Sequence, residues 1–74
     1  MTKLVLISGK DMCEILERLG FQRIHQKGSH IRYIHADGRK TTVPVHGNEL
    51  LGRGMIKEIL KQIRLTREEY ESLR

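Results

Sequence analysis

Five consecutive residues, Gln26-Lys27-Gly28-Ser29-His30, place a cation, a flexible turn residue, a hydroxyl and an imidazole next to one another. Near neutral pH a neutral imidazole can take a proton and a charged imidazole can give one. The pattern predicts a tight turn that leads directly into a strand beginning with His30. A histidine on such an exposed, basic surface could cleave a polyanion without a metal ion.

Cleavage of RNA requires few protein groups, because the ribose 2′-hydroxyl is its own nucleophile. General acid–base assistance typically contributes about 10²–10⁴-fold to a rate, and nearby cations stabilise the charge that develops on the phosphate. In this hypothesis His30 is the acid or the base, and Lys27 and Arg32 stabilise charge. Ser29 is a possible hydrogen-bond donor to phosphate. The second proton-transfer group stays open: water, a lysine or a histidine of a second subunit.

Metal and thiol chemistry are less favoured by the sequence. A zinc site needs three or four converging ligands, whereas no acidic third ligand accompanies His25 and His30, and the single Cys13 is remote from both. Nothing in the sequence indicates that the thiolate of Cys13 is activated. We therefore predict no metal ion and no cofactor.

The length and charge of the chain limit the classes of protein to which it can belong. Its 74 residues predict a single domain over residues 1–74. Fourteen lysines and arginines against nine acidic residues give a net charge of +5, which favours a polyanionic partner. One cysteine excludes an internal disulfide and fits a reducing compartment.

The N-terminal apolar run, residues 4–7, is too short for a membrane span, which needs about 20 residues. It is also too short for the apolar centre of a signal peptide. We expect a cytoplasmic protein with no membrane association. The run could be an extra strand, a contact surface or ordered chain.

The first predicted element of secondary structure is a helix over about residues 8–19. Ser8 and Asp11 have the spacing of a capping box at its start. Gly20 supplies the left-handed residue that commonly ends a helix. Between them lies one apolar helical stripe, formed by Met12, Ile15, Leu16 and Leu19.

Three strands are predicted next, near residues 21–26, 29–35 and 40–45. Lys27-Gly28 and Asp37-Gly38 mark the two hairpin turns between them. A second helix follows on a stripe of Met55, Ile56, Ile59, Leu60 and Ile63, and the pair Thr66 and Glu69 begins a short terminal helix. The fold class is therefore α+β with the order α-β-β-β-α: a three-stranded antiparallel sheet with two helices on one face.

The register of the first hairpin decides which side chains face the solvent. A loop of even length centred on Lys27-Gly28 places His25 opposite His30 and Arg23 opposite Arg32. Ile24, Ile31 and Tyr33 then share the opposite, apolar face.

For the second hairpin, a loop of odd length, three residues with a bulge at Gly38, keeps Val43 and Val45 on the side of Ile31. Lys40 and Thr42 then join the open face. That face is predicted to carry Arg23, His25, His30, Arg32 and Lys40, with Lys27 at its rim. An ordinary solvated face is the competing interpretation.

Six segments together carry a resemblance to a known family, each unspecific alone but specific in this order and spacing. They are Ser8-Gly9-Lys10, Leu19-Gly20-Phe21, Gln26-Lys27-Gly28-Ser29-His30, Asp37-Gly38-Arg39, Val43-Pro44-Val45-His46-Gly47 and residues 54–63. Over about residues 7–70 the chain resembles the HicA family of toxins, the mRNA-cleaving halves of bacterial and archaeal HicAB toxin–antitoxin modules.

This resemblance implies a fold like that of double-stranded-RNA-binding domains and a metal-independent ribonuclease that inhibits translation. In that family the histidine of the Gly-Ser-His motif is catalytic, and the resemblance implies this role for His30. RNA-binding roles would fall to Lys27, Gly28, Ser29, Arg23, His25, Arg32 and Lys40 from the predicted open face.

The family also implies a HicB-type antitoxin that binds the toxin and blocks its active site, with DNA contacted only through the antitoxin. Two other hypotheses stay open: a non-catalytic RNA-binding module whose basic face docks on phosphates, and a protein-interaction domain.

Overall fold

Six elements follow one another in residues 4–74, the part of the chain described by this computed structural model. They are α1 (Gly9–Arg18), β1 (Gln22–Lys27), β2 (His30–Ile34), β3 (Lys40–Pro44), α2 (Arg53–Ile63) and α3 (Arg67–Leu73). The three strands form one antiparallel sheet in the order β1-β2-β3. The predicted α+β fold and the α-β-β-β-α order are confirmed, with α3 as the short terminal helix.

The helix ends follow the signals in the sequence. The Ser8 hydroxyl accepts a hydrogen bond from the Asp11 N–H at 3.1 Å and caps α1. Gly20 follows the helix with a φ of 94°, a conformation that glycine adopts without steric cost. Thr66 and Glu69 form both bonds of a capping box at the start of α3.

One face of the sheet contributes to the core. Ile31 and Tyr33 of β2 and Thr41 and Val43 of β3 are buried on that face. They belong to a core that also contains the apolar stripes of α1 and α2, including Met12, Leu16, Ile56, Ile59 and Ile63. The opposite face is left to the solvent, as the alternation of side chains along each strand requires.

The hairpin between β2 and β3 has the predicted register. Ile31 lies opposite Val43 and Arg32 opposite Thr42. The loop has three residues, Ala36 to Gly38, and is closed by the His35 N–H, which donates to the Arg39 carbonyl at 2.8 Å. Gly38 has a φ of 97°, as a three-residue hairpin loop with a glycine bulge requires.

The hairpin between β1 and β2 has a different register from the one predicted. Its loop is the pair Gly28 and Ser29, so Lys27 lies opposite His30. The φ of Gly28 is 59°, which fits the first central position of a type II′ turn. The predicted pairing of His25 with His30 is therefore wrong, because the loop is centred on Gly28-Ser29 and not on Lys27-Gly28, which shifts the pairing by two residues.

A β-bulge at Ile24 interrupts the same hairpin. His25 lies opposite Arg32, but Arg23 lies opposite Tyr33, so Ile24 is an extra residue on β1 without a partner on β2. The Ile24 side chain is 54% exposed. Its predicted place on the apolar face is wrong for this reason, and the shifted register near the turn places Gln26, not Ile24, opposite Ile31.

The N-terminal segment packs as ordered chain. Leu4 and Ile7 are buried in the core. The Ile7 carbonyl accepts a hydrogen bond from the Leu51 N–H at 2.8 Å, and Ser8 forms an isolated bridge with Leu50. The segment therefore contributes to the core without adding a strand to the sheet.

At Gly9, α1 approaches β3 closely. A Cβ atom at this position would overlap the carbonyl oxygen of Pro44. The absence of a side chain thus lets the first turn of α1 lie directly against the end of β3. Among the described residues, no helix is long and apolar enough to cross a membrane.

Candidate functional site

An open groove of about 660 Å³ lies on the solvent face of the sheet, beside the turn between β1 and β2. Its lining residues are His25, Lys27, Gly28, Ser29, His30, Arg32 and Thr42. Five of the predicted RNA-binding residues therefore line the same groove as His30. Thr42 is the additional member, and the parity of β3 already places it on this face.

Strand pairing positions the groove side chains. His30 is the first residue of β2 and lies directly opposite Lys27, and in the next pair on the same face of the sheet His25 lies opposite Arg32. Directly opposed side chains in an antiparallel sheet have Cβ atoms about 4.5–5.5 Å apart. Two imidazoles and two cations thus occupy four neighbouring positions of one surface.

The turn that carries the groove is held by its neighbours. The side-chain amide of Gln26 donates to the Gly28 carbonyl at 3.2 Å. The Val45 N–H, just beyond β3, donates to the Ser29 carbonyl at 2.7 Å. The second bond joins the turn to the segment that follows β3, the strand that flanks β2 on the side away from β1. The backbone that leads into His30 is therefore held from the side of each neighbouring strand.

The charges of the groove suit an anion. Lys27 and Arg32 are positively charged, and none of the seven lining residues is acidic. His25 and His30 are both exposed to solvent and can exchange protons with it. The arrangement can bind phosphate and transfer protons beside it.

A second groove, of about 550 Å³, continues from the first and shares Arg32 and Thr42 with it. Lys40 lines this second groove, together with exposed apolar side chains at Ile24 and Met55. Lys40 is thus on the open face as predicted, on the strand next to that of His30 and two strands from that of His25.

Arg23 points to the opposite side of the sheet, so its predicted place on the open face is wrong. Its guanidinium donates to the Tyr33 hydroxyl at 3.3 Å and lies 3.6 Å from a carboxylate oxygen of Glu17. Tyr33 in turn donates to Glu17 at 2.6 Å. Burial of Tyr33, followed by this hydrogen bond, raises the pKa of its hydroxyl. The bulge at Ile24 is the cause, since it puts Arg23 and His25 on different faces.

The remaining candidate groups lie outside the groove. Cys13 is buried in α1, and burial raises the pKa of its thiol. The His35 ring packs edge-on against Phe21, with ring centroids 5.0 Å apart. His46 is exposed beside Pro44 in a different depression. Within residues 4–74, no three His, Cys, Asp or Glu side chains are grouped so that they could hold a metal ion.

Comparison with known families gives a match over most of the chain. The family model described as "HicA toxin of bacterial toxin-antitoxin" matches residues 9–65. The chain belongs to the HicA toxin family. It is therefore the toxin of a toxin–antitoxin module, and an antitoxin is its partner. A search of curated proteins finds no significant match.

The matched region of this HicA toxin runs from the first residue of α1 to just beyond α2. It contains every residue that lines the groove of the two histidines. The N-terminal segment, residues 4–7, and the terminal helix α3 lie outside it. The family match and the groove therefore fall on the same part of the chain.

Proposed function

We propose that this HicA toxin is an endoribonuclease that cleaves mRNA, and so inhibits translation, by proton transfer through His30 without a metal ion. One observation carries the proposal: His30 lies in an open, cationic groove with Lys27 directly opposite it. An open groove admits a polymer strand along its length, which an enclosed pocket would not.

The chemistry follows from the substrate. The ribose 2′-oxygen attacks the adjacent phosphorus while the bond from phosphorus to the 5′-oxygen breaks, which leaves a 2′,3′-cyclic phosphate and a 5′-hydroxyl. His30 either takes the proton from the 2′-hydroxyl or supplies one to the departing 5′-oxygen. Lys27 and Arg32 stabilise the negative charge that builds up on the phosphate oxygens.

Recognition would rest on the RNA backbone. Phe21 and Tyr33 are buried in the core, so neither ring is available for stacking on a base. Lys27, Arg32 and Lys40 instead form a basic path across the open face, along the two connected grooves. Phosphate contacts of this kind bind RNA with a strong dependence on salt.

The antitoxin is proposed to be of the HicB type and to act by covering this groove. The support is positional, because His30 is solvent-exposed and a bound protein could screen it from RNA. Contact with DNA would then be made by the antitoxin. An equimolar antitoxin should abolish both RNA binding and cleavage by the toxin.

The decisive variant is His30→Ala. Because the side chain is exposed, the variant should fold, bind RNA almost as the wild type does, and cleave it about 10²–10⁴-fold more slowly. His46→Ala, another exposed histidine outside the groove, should cleave at the wild-type rate. Cleavage by the wild type should persist in a chelator.

Two results would overturn the proposal. A wild-type protein that binds RNA with salt dependence but leaves it intact in every buffer would be a non-catalytic RNA-binding module. Complete loss of cleavage in chelator, restored by a divalent metal, would contradict the metal-free mechanism.

A further inference from the structure

We propose that His25 is the second proton-transfer group, acting across the scissile phosphate from His30. This inference rests on the proposed ribonuclease function, in which one of the two proton transfers has no assigned group. Its basis is the position of the bulge in β1, which brings a second imidazole to the groove.

The bulge determines which face His25 occupies. Residues 23 and 25 of a regular strand would point to the same side of the sheet. Arg23 faces the side of Tyr33 and Glu17, as its hydrogen bond to the Tyr33 hydroxyl shows. Because Ile24 is an extra residue, His25 is opposite Arg32 and therefore faces the open side. Bulges commonly re-aim a side chain beside an active site.

The two histidines are diagonal neighbours on the groove surface. Lys27 is the direct partner of His30, and His25 lies two residues before Lys27 on the same face. Diagonal neighbours in an antiparallel pair lie about 7–8 Å apart, within reach of aromatic side chains. A phosphate between two imidazoles at this separation can contact both.

The other groups near His30 are less suited to the second transfer. Of the four histidines in the chain, His35 packs on Phe21 and His46 lies in a different depression. Amine and guanidinium side chains act near neutral pH as fixed positive charges, whereas imidazole exchanges protons there. Lys27 and Arg32 therefore stabilise charge, and His25 is left as the proton carrier.

The step balances with the two imidazoles in opposite protonation states. A neutral imidazole removes the proton of the 2′-hydroxyl as the new bond to phosphorus forms. A protonated imidazole gives its proton to the 5′-oxygen as the old bond breaks. The pair ends with its protonation states exchanged, and solvent resets it through the open groove.

The test compares His25→Ala, His25→Arg and His30→Ala in the full-length toxin, with His46→Ala as the control. The substrate is an oligonucleotide with one ribonucleotide, used with either the natural 5′-oxygen or a bridging 5′-sulfur. A thiolate departs without being protonated, so a missing general acid matters little for the sulfur substrate.

We expect both His25 variants to cleave the natural substrate about 10²–10⁴-fold more slowly than wild type, with RNA affinity and melting midpoint retained. The wild-type pH–rate profile should have two limbs, and each His25 variant should lose one of them. The sulfur substrate should restore cleavage in one of His25→Ala and His30→Ala but not in the other, because one imidazole is the acid and the other the base.

Three outcomes would overturn the assignment of His25. They are a His25→Ala rate within about tenfold of wild type, restoration of the rate by His25→Arg, and a variant that keeps both limbs of the profile. Restoration by arginine would make His25 a cationic phosphate contact. None of these results bears on the role of His30, because the His30→Ala variant measures that role separately.

Discussion

The two hairpins of this protein share β2 but differ in what they do with it. The strands of the β2–β3 hairpin pair without interruption and bury Thr41 and Val43 beside Ile31 and Tyr33. The β1–β2 hairpin contains a bulge, and every residue of β1 is exposed. One hairpin therefore supports the core, and the other presents the groove to solvent.

The same contrast appears in how the two turns are held. The Asp37 carboxylate accepts from the Arg39 N–H at 3.0 Å and from the Arg39 guanidinium at 2.8 Å. Arg39 also donates to the Ile63 carbonyl and packs over the Phe21 ring, so this loop is joined to α2 and to the core. The Gly28-Ser29 turn is held by backbone and amide contacts, which leaves its cations and imidazoles available to a ligand.

The largest expected effect is a difference in stability between substitutions on the buried face of the sheet and substitutions on its exposed bulge. Ile31→Ala should lower the free energy of unfolding by about 2–5 kcal/mol, because it removes methyl groups from a side chain that is 5% exposed. Ile24→Ala, on the exposed bulge, should change it by about 0.5 kcal/mol or less. Denaturant unfolding of both variants checks the difference, and equal losses would contradict the division between core and groove faces.

Arg32→Ala tests the opposite side of the same strand. Its side chain is exposed, so stability should stay within about 0.5 kcal/mol of wild type. RNA affinity should fall for all sequences, and the slope of log affinity against log salt should decrease by about one. Arg53→Ala removes the same charge from the start of α2, outside both grooves, and should leave the slope unchanged. An identical loss in both variants would mean that net charge alone attracts RNA.

The smallest effect concerns the loop of the β2–β3 hairpin. The Arg39 backbone N–H, and then its guanidinium, hold the pKa of Asp37 below its ordinary value. This contribution to stability is present above the unfolded pKa, about 3.9, and is lost as the pH falls through the folded pKa. Asp37→Asn should therefore flatten the acid limb of the stability curve slightly without changing RNA cleavage. A steeper acid limb in the variant would contradict the assigned contacts.

Much of the fold could be predicted because several local signals agree. Ser8 and Gly20 bound α1, and Val43 shares the apolar face with Ile31 only if the loop that contains Gly38 has an odd number of residues, as it does. The face of His25, His30 and Arg32 was also predicted correctly, although the register was wrong. The predicted and observed loops are centred one residue apart, so the pairing shifts by two residues, and a shift of two preserves the face of each side chain.

The bulge could not be predicted from the sequence. Ile24 has the aliphatic side chain expected of a core position in a strand, and no glycine or proline marks an extra residue there. The bulge depends on tertiary contacts: Arg23 is held by Tyr33 and Glu17 on one side, while the turn at Gly28 fixes the pairs nearer to it. Arg23 was misplaced for this reason alone.

We propose that catalysis resides in the β1–β2 hairpin and depends on His30. The most direct test of this proposal is the single-turnover rate of RNA cleavage, with saturating toxin and a chelator present, for wild type and His30→Ala. Saturation removes differences in affinity, so the rate reports the chemical step. We predict a wild-type rate that the chelator does not change, and a His30→Ala rate lower by about 10²–10⁴-fold with the melting midpoint retained. Equal rates in the two folded proteins would contradict the account.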